Sequence, residues 1–168
     1  MSILIRKAVP SNAFEYAENH VACWRAAYKG ILSDDYLNQM SVEQIAETYQ
    51  RILSEPGTFN FYFIEHDKKI IGRLVFNKSR DEDKSDAGEI SAMYLLSEYW
   101  GKGYGREMMD FSLFELKRMG YSEVLLWVLK TNNRAKLFYE KCGFLFDGTQ
   151  KEVSLDTPHT HMRYVRSL

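Results

Sequence analysis

Apolar positions in the first third of the chain follow a helical period. A short alternating run from Ile3 to Ala8 predicts a first strand. After it, apolar residues recur at intervals of three and four and so share one face of a helix that Ser11 or Asn12 can cap. The residues of this face are Phe14, Ala17, Val21, Trp24 and Tyr28. Ser41 to Gln44 is typical of a capping box ahead of a second helix, which we expect to end at Glu55-Pro56-Gly57.

From residue 59 onward the period changes from 3.6 to 2. Runs rich in β-branched and aromatic residues predict strands at 59–65, 70–76 and 89–96, the first two joined by a hairpin turn at 67–69. The intervening segment 77–88 is polar and acidic, which is typical of a solvated loop.

The last third of the chain returns to alternating helices and strands. An amphipathic helix ends at Gly120, and the continuously apolar run 124–129 predicts a strand covered on both faces. A short helix follows, capped by Asn132 or Asn133 and ended by Gly143. Strands at 144–154 and 159–165 complete the order β-α-α-β-β-β-α-β-α-β-β. That order predicts a mixed α/β sheet with helices on its faces.

Composition and charge narrow the class of protein. The chain has 168 residues, of which 45% are apolar, and this favours one globular domain and excludes an intrinsically disordered chain. The 22 basic and 23 acidic residues nearly cancel, so no global field favours nucleic acid or an anionic membrane. No run approaches the roughly 20 apolar residues of a membrane span, and the N-terminus lacks a signal peptide's features. Cys23 and Cys142 are far apart in the sequence, which favours a cytoplasmic protein. From the balanced charge and the lack of a membrane span, we expect neither nucleic-acid nor membrane partners.

One segment combines a strand, a glycine-rich turn and the start of a helix. Gly101, Gly103 and Gly105 lack Cβ atoms, so main-chain N–H groups can converge on a ligand beside the positive end of a helix. Phosphate suits such a turn, and Lys102 and Arg106 add positive charge. The Walker spacing is absent, and the Rossmann fingerprint fails because Arg106 takes its sixth position. Taken alone, the segment is also compatible with an ordinary flexible turn.

Two blocks of the sequence resemble the GCN5-related N-acetyltransferase (GNAT) superfamily, enzymes that move acetyl from acetyl-CoA to an amine. The block from Trp100 to Gly105 is similar to the family's Gln/Arg-x-x-Gly-x-Gly/Ala signature, with Trp100 in place of the usual polar residue. The second block, 132–144, is similar to the family's Asn-x-x-Ala and Tyr-x-x-x-Gly-Phe element. The resemblance covers essentially the whole chain.

The resemblance implies an α/β (α+β) fold of the GNAT kind. The expected sheet is mixed and mostly antiparallel, with about six or seven strands, helices on both faces and a splayed V between the two central strands. The resemblance further implies a single N-acetyltransferase domain over residues 1–168. Within it, 11–57 would form a helical acceptor-side region and 89–144 an acetyl-CoA-binding core.

The resemblance also implies where acetyl-CoA, as co-substrate, would bind. The strand before the turn would present main-chain groups to the pantetheine, as an added strand would. The turn would hold the pyrophosphate. The implied cofactor-binding residues are Met93, Tyr94, Leu95, Trp100, Gly101, Lys102, Gly103, Tyr104, Gly105, Arg106, Asn132 and Tyr139. No metal site is expected, since His159 and His161 share a strand face without a third ligand.

Two residues are candidates for catalytic proton transfer. Tyr139 would protonate the departing thiolate, because a phenol with a pKa of about 10 is close to a thiol in basicity. Glu89 would accept the proton of the attacking amine, directly or through water. The alternatives are an aromatic residue packed on the sheet and a glutamate that is exposed or paired with a lysine. Cys142 is expected to be structural, since direct transfer needs no covalent enzyme intermediate.

The acceptor side is the least determined part of the sequence. Trp24 and Tyr28 resemble the wall of an acceptor pocket, although aromatic residues at helical spacing are also typical of a core. The expected function is direct acetyl transfer to a primary amine, on a small molecule or exposed on a protein. A non-catalytic acyl-CoA-binding regulatory domain is the alternative. The strand at 159–165 offers an edge for a homodimer.

Overall fold

The computed structural model describes residues 3–55, 57 and 59–168. The helices are α1 (Ala13–Ala27), α2 (Asp34–Asn38), α3 (Val42–Ser54), α4 (Tyr104–Arg118) and α5 (Asn133–Lys141). The strands are β1 (Leu4–Lys7), β2 (Asn60–His66), β3 (Lys69–Lys78), β4 (Gly88–Leu95), β5 (Glu123–Leu129), β6 (Leu145–Ser154) and β7 (Pro158–Ser167). The expectation that Pro56 helps to end α3 lies outside the described residues.

The described strands form a seven-stranded sheet in the order β1-β2-β3-β4-β5-β7-β6. β4 and β5 are parallel, with Gly88 opposite Val124 and Glu89 opposite Leu125. β1 with β2, β5 with β7 and β6 with β7 are antiparallel. Because β7 pairs with β5 on one side and β6 on the other, the expectation that the strand at 159–165 offers an edge for a homodimer is wrong. The predicted class, a mixed and mostly antiparallel α/β fold, is confirmed.

Residues up to Val75 together with Ala92–Met108 form one compact unit. Its core gathers aromatic rings from α1, α3 and β2. The fully buried Tyr16 meets Tyr49 at 4.8 Å and Phe63 at 5.0 Å between ring centroids, both edge to face. This geometry suits the quadrupoles of the rings, so the core is held by oriented aromatic contacts as well as by burial.

Phe76–Ser91 together with Met109–Leu168 form the second unit. In β5, Val124, Leu125 and Leu126 are buried, as expected of a strand whose sequence is apolar on both faces. Met109 of α4 and Phe144 are also fully buried here. Among the described residues, no helix combines the length and apolarity needed to cross a membrane.

Local signals predicted several turns and caps correctly. The turn between β2 and β3 has positive φ at both Asp67 and Lys68, 49° and 63°, the conformation that reverses a tight hairpin. Ser41 caps α3 by accepting a hydrogen bond from the N–H of Gln44 at 3.3 Å. Asn132 is the residue that caps α5, accepting from the N–H of Ala135 at 3.2 Å.

Two features of the helical region differ from the expectations. Because α1 starts at Ala13, its inward face carries Ala13 and Tyr16, and Phe14, expected on the apolar face shared with Ala17 and Val21, is exposed. The short helix α2 was not predicted. Asp34 lies in the first turn of α2, and Ser33 supplies the cap by accepting from the N–H of Tyr36 at 3.3 Å.

Candidate active site

The glycine-rich turn offers unused main-chain donors ahead of α4. Gly101 and Gly103 have φ of 73° and 89°, a region that a side chain disfavours. A Cβ atom at either position would have no heavy atom within 4 Å, so the space above the turn is open. Among the hydrogen bonds of the described residues, none uses the N–H groups of Gly101, Lys102 or Gly103. Free donors at the positive end of a helix suit an anion such as pyrophosphate.

The side chains of the turn differ in what they offer. The N–H of Arg106 donates to the carbonyl of Gly103 at 2.9 Å, as part of the first turn of α4, so it is not an unused donor. Lys102 is exposed, with its ammonium 5.1 Å from the ring of Tyr99. Tyr104 is buried and its hydroxyl meets His66 Nε2 at 3.1 Å. Of these predicted cofactor residues, Lys102 therefore presents charge to solvent and Tyr104 packs inward.

Trp100, which departs from the family signature, joins the turn to the end of β4. Its indole Nε1–H donates to the carbonyl oxygen of Leu95 at 2.9 Å. One main-chain carbonyl that we expected to face the pantetheine therefore already accepts a hydrogen bond. The indole therefore makes its hydrogen bond within the protein.

The end of β4 lies unusually close to β3. A Cβ atom at Gly72 would lie 2.3 Å from the carbonyl oxygen of Tyr94, so glycine is required there. Met93 and Tyr94 are half-buried, and the hydroxyl of Tyr94 shares a hydrogen bond of 2.7 Å with that of Tyr28. The predicted pantetheine strand is thereby held by its neighbour and by α1.

Glu89 is buried and paired with an arginine. Its Oε1 accepts from Arg80 Nη2 at 2.6 Å, and its Oε2 accepts from Arg80 Nε at 3.3 Å and from the Arg80 main-chain N–H at 3.2 Å. The sequence indicated a lysine partner as the alternative to catalysis; the partner is an arginine from the segment before β4. The catalytic role of Glu89 stays a prediction.

Asn132 caps the start of α5, and Tyr139 lies within that helix. Tyr139 is half-buried, with its ring 5.5 Å from Phe138 and 6.2 Å from Phe144. Asn132 is buried, and its N–H donates to Leu129 at 2.9 Å while its side-chain oxygen caps the helix. Asn132 thus fixes how α5, and with it Tyr139, follows from β5. The roles of both residues toward a cofactor stay predictions.

The predicted acceptor residues belong to an aromatic cluster. The ring of Trp24 lies 4.9 Å from that of Tyr28 and 6.4 Å from that of Tyr94. The sequence did not single out Arg73, which is 3% exposed and whose guanidinium lies 4.9 Å from the ring centre of Tyr94. The available signal was an arginine inside the apolar run 70–76. The structure therefore gives this cluster a cationic member.

A second ion-pair centre was also missed. The acidic residues of 77–88 were expected to be solvated, but Asp81 and Asp83 accept hydrogen bonds from Arg163, together with Asp147. His159 pairs with Asp156 at 2.7 Å. Within the described part of the chain, no group of three or more His, Cys, Asp or Glu side chains is arranged to hold a metal ion.

Known proteins resemble this chain in sequence. Residues 18–144 match the family model described as Acetyltransferase (GNAT) family. A Mycobacterium tuberculosis (strain H37Rv) protein named Probable N-acetyltransferase Rv2775 is 28% identical over 172 residues, covering 99% of this chain and 95% of that protein. The Bacillus subtilis (strain 168) protein named Uncharacterized N-acetyltransferase YuaI is 27% identical over 140 residues, covering 82% and 78%.

Solved structures agree in fold over the whole chain. The PaiA N-acetyltransferase from Thermoplasma acidophilum, crystallised in complex with coenzyme A, superposes with a TM-score of 0.76 at 23% identity, covering 100% of both chains. A GCN5-related N-acetyltransferase from Rhodopseudomonas palustris gives a TM-score of 0.79 at 16% identity, covering 100% of this chain and 97% of that one.

Proposed function

The chain belongs to the acetyltransferase (GNAT) family, and from this premise we propose that it transfers the acetyl group of acetyl-CoA directly to a primary amine. The acceptor is a small molecule or an exposed protein amine, held with acetyl-CoA in a ternary complex. The observation that carries the proposal is the turn with unused N–H groups at 101–103, ahead of α4. The relatives named N-acetyltransferases support it.

In this proposal the chain acts as one N-acetyltransferase domain. The main-chain donors of Gly101, Lys102 and Gly103 hold the pyrophosphate of the co-substrate, and the Lys102 ammonium adds charge. The end of β4, Met93 to Leu95, lies along the pantetheine, and a main-chain N–H there polarises the reacting carbonyl. Acetyl-CoA supplies an activated thioester. The chain's own residues bind it, orient the amine and move two protons.

The first proton leaves the attacking amine, which is mostly protonated at neutral pH. Glu89 accepts this proton through a water molecule. When Glu89 is protonated, the Arg80 guanidinium loses the negative charge with which it pairs. Because the Arg80 side chain is 63% exposed, water can solvate its guanidinium in that state. The ion pair therefore holds Glu89 in place between turnovers.

The second proton goes to the departing sulfur. Tyr139 Oη donates it, and the phenolate regains a proton when the amine nitrogen releases its second proton as the amide forms. Asn132 fixes how α5, which carries Tyr139, follows β5. General acid catalysis of this kind contributes about 100- to 10,000-fold to the rate. Tyr139→Phe deletes the proton donor and retains the ring, so kcat should fall by a factor in that range, which exceeds any loss of coenzyme A binding.

The test measures release of free coenzyme A across a panel of amines. Tyr121→Phe, which deletes another hydroxyl of the second unit, is the control. Equal rates for Tyr139→Phe and Tyr121→Phe would refute the acid role. Calorimetry with coenzyme A completes the experiment, because binding without turnover of any amine would favour a non-catalytic acyl-CoA-binding domain, and absence of binding would refute the proposal.

Glu89 needs a separate comparison. Glu89→Gln removes the base and the ion pair, whereas Arg80→Met removes the ion pair alone. If Glu89 accepts the proton, the kcat of Glu89→Gln should be well below the kcat of Arg80→Met. Equal losses in the two variants, with no further loss in the double variant, would show that Glu89 acts only through its ion pair.

A further inference from the structure

Arg73 is a buried cation without an anionic partner. It is 3% exposed, and among the described residues no carboxylate lies within salt-bridge distance of it. Its Nη1 donates to Tyr49 Oη at 2.9 Å, and its guanidinium carbon lies 4.9 Å from the ring centre of Tyr94 and 5.7 Å from that of Tyr16. Ring faces attract a cation but cannot neutralise it. Its Nε–H has no acceptor.

Tyr49 connects this arginine to a second unsatisfied donor. Because its oxygen accepts from Arg73, the Tyr49 hydroxyl hydrogen is available to His20 Nδ1, 2.8 Å away. Burial, and secondarily the charge of Arg73, lower the pKa of His20 to about 2, so its imidazole is neutral at pH 7. With Nδ1 accepting, the single imidazole hydrogen is on Nε2. That buried N–H also has no acceptor.

Trp24 contributes a third donor to the same place. Its indole Nε1–H is buried and unpartnered, and its ring lies 5.1 Å from that of His20. Among the described residues, these atoms of His20, Trp24 and Arg73 are the buried side-chain nitrogens or oxygens that lack a partner. Buried donors in proteins are normally satisfied, and here the exceptions coincide in one cluster. The shared property is that each is an N–H donor that needs an acceptor.

We propose that this Arg73 cluster (His20, Trp24, Tyr49, Arg73 and Tyr94) binds a carboxylate of the amine acceptor, so that the substrates are amines that also carry a carboxylate, such as amino acids. The inference rests on the proposed acetyl transfer. A carboxylate offers only hydrogen-bond acceptors and one negative charge. The three unpaired N–H groups need acceptors, and the uncompensated guanidinium needs a negative charge beside it. A purely cationic amine would instead be repelled by Arg73. Trp24 and Tyr94 are half-buried, whereas Arg73 is buried.

Matched acceptors test the charge directly. Glycine, L-leucine and L-phenylalanine are compared with glycinamide, L-leucinamide and L-phenylalaninamide, by calorimetric binding and by release of coenzyme A. Hydrogen bonds to a charged partner lead us to expect about 10- to 100-fold tighter binding of at least one acid than of its amide. If no acid binds more tightly than its amide, the inference is overturned.

Variants separate a ligand-binding arginine from a structural one. Arg73→Met removes a buried charge that has no ionic partner, so we expect a melting temperature equal to or above that of the wild type, and loss of the preference for acids. A structural role predicts a lower melting temperature and an unchanged preference. Trp24→Phe, which keeps a ring and Arg73 but deletes the N–H, should weaken binding of acids by about 3- to 10-fold more than binding of the matched amides.

The proposed function and the carboxylate inference are refuted by different results. If coenzyme A binds but no amine is acetylated, the proposed function is wrong, and the calorimetric preference still decides the carboxylate. If amides are acetylated as well as acids, and Arg73→Met changes neither, the acetyltransferase stands and the carboxylate inference falls.

Discussion

Arg163 joins three aspartates from distant parts of the second unit. It is buried, and its guanidinium donates to Asp147 Oδ2 at 2.7 Å and to Asp81 Oδ2 at 3.0 Å. It also donates to both oxygens of Asp83 at 2.7 and 2.6 Å and to Thr149 Oγ1 at 3.0 Å. These bonds fasten the segment between β3 and β4, which carries the partner of Glu89, to β6 and β7. We predict that Arg163→Met destabilises the protein strongly.

The magnitude follows from which carboxylates are left behind. The side chains of Asp81 and Asp147 are 14% and 15% exposed, so without Arg163 they remain as poorly solvated charges. Asp83 is 64% exposed and returns to water, so it adds nothing to the sum. Asp81 keeps the indole N–H of Trp127 at 3.0 Å and Asp147 keeps the N–H of Thr149 at 2.8 Å, and both bonds limit the loss. We therefore take the cost of one broken buried pair, about 3–5 kcal/mol of unfolding free energy, which at this chain length lowers the melting temperature by roughly 10 °C.

Urea unfolding at pH 7 measures this difference, with Arg118→Met as the matched control. Arg118 pairs with Glu115 at 2.6 Å on the surface and is 66% exposed, so its loss should cost about 1 kcal/mol or less. If Arg163→Met were no more destabilising than Arg118→Met, the argument from buried carboxylates would be refuted.

Acid provides a second measurement of the same centre. Hydrogen bonding to Arg163 lowers the pKa of Asp83. For Asp147 burial acts in the opposite direction, but the Thr149 N–H and Arg163 outweigh it and the pKa is also lowered. A carboxyl with a lowered folded-state pKa contributes stability above its unfolded value of about 4 and loses it as the pH falls further. The difference between wild type and Arg163→Met should therefore shrink below pH 4.

Three further predictions address the turn, His20 and the thiols. Gly103→Ala places a side chain at φ 89°, which costs a strain of about 1–2 kcal/mol, so calorimetry should show coenzyme A binding weakened by about tenfold. The control Gly148→Ala, at φ 93° in β6, should bind coenzyme A normally. Equal effects of the two variants would contradict the role of the turn. Because His20 stays neutral when folded but takes up a proton when unfolded, wild-type stability should fall below pH 6.5 by about 1.4 kcal/mol per pH unit more than that of His20→Gln. Parallel urea-unfolding curves for the two proteins across pH 7.5 to 4.5 would refute this. Burial raises the pKa of Cys23 to about 12, so iodoacetamide at pH 8 should label this cysteine only after unfolding, as followed by mass spectrometry, and rapid labelling of the native protein would refute it.

Much of the candidate site could be located from the sequence because its signals are local. The glycines at 101 and 103 predicted the open turn, and the structure gives both of them positive φ. Asn132 was one of two residues expected to cap α5, and it does. In each case the residue acts on its own main chain or on neighbours within a few positions, so the chemistry of the residue type is enough to predict the result.

The partners of buried charges could not be predicted in the same way. Glu89 was expected to be exposed, paired with a lysine or catalytic, and its pairing with Arg80 depends on how the chain returns to the sheet. Arg73 stands within an apolar run, and the sequence did not single it out. Its lack of an anion is visible only once residues from α1, α3 and β4 surround it.

The sequence by itself determined the order of strands and helices apart from the short α2, and several turns and caps, because backbone preference and hydrophobic period act within a few residues. The tertiary structure alone decided which charges are neutralised and which donors are left without acceptors. These outcomes depend on side chains far apart in the chain, since in the low-dielectric interior the free energy of a charge is set by whichever groups the fold brings beside it.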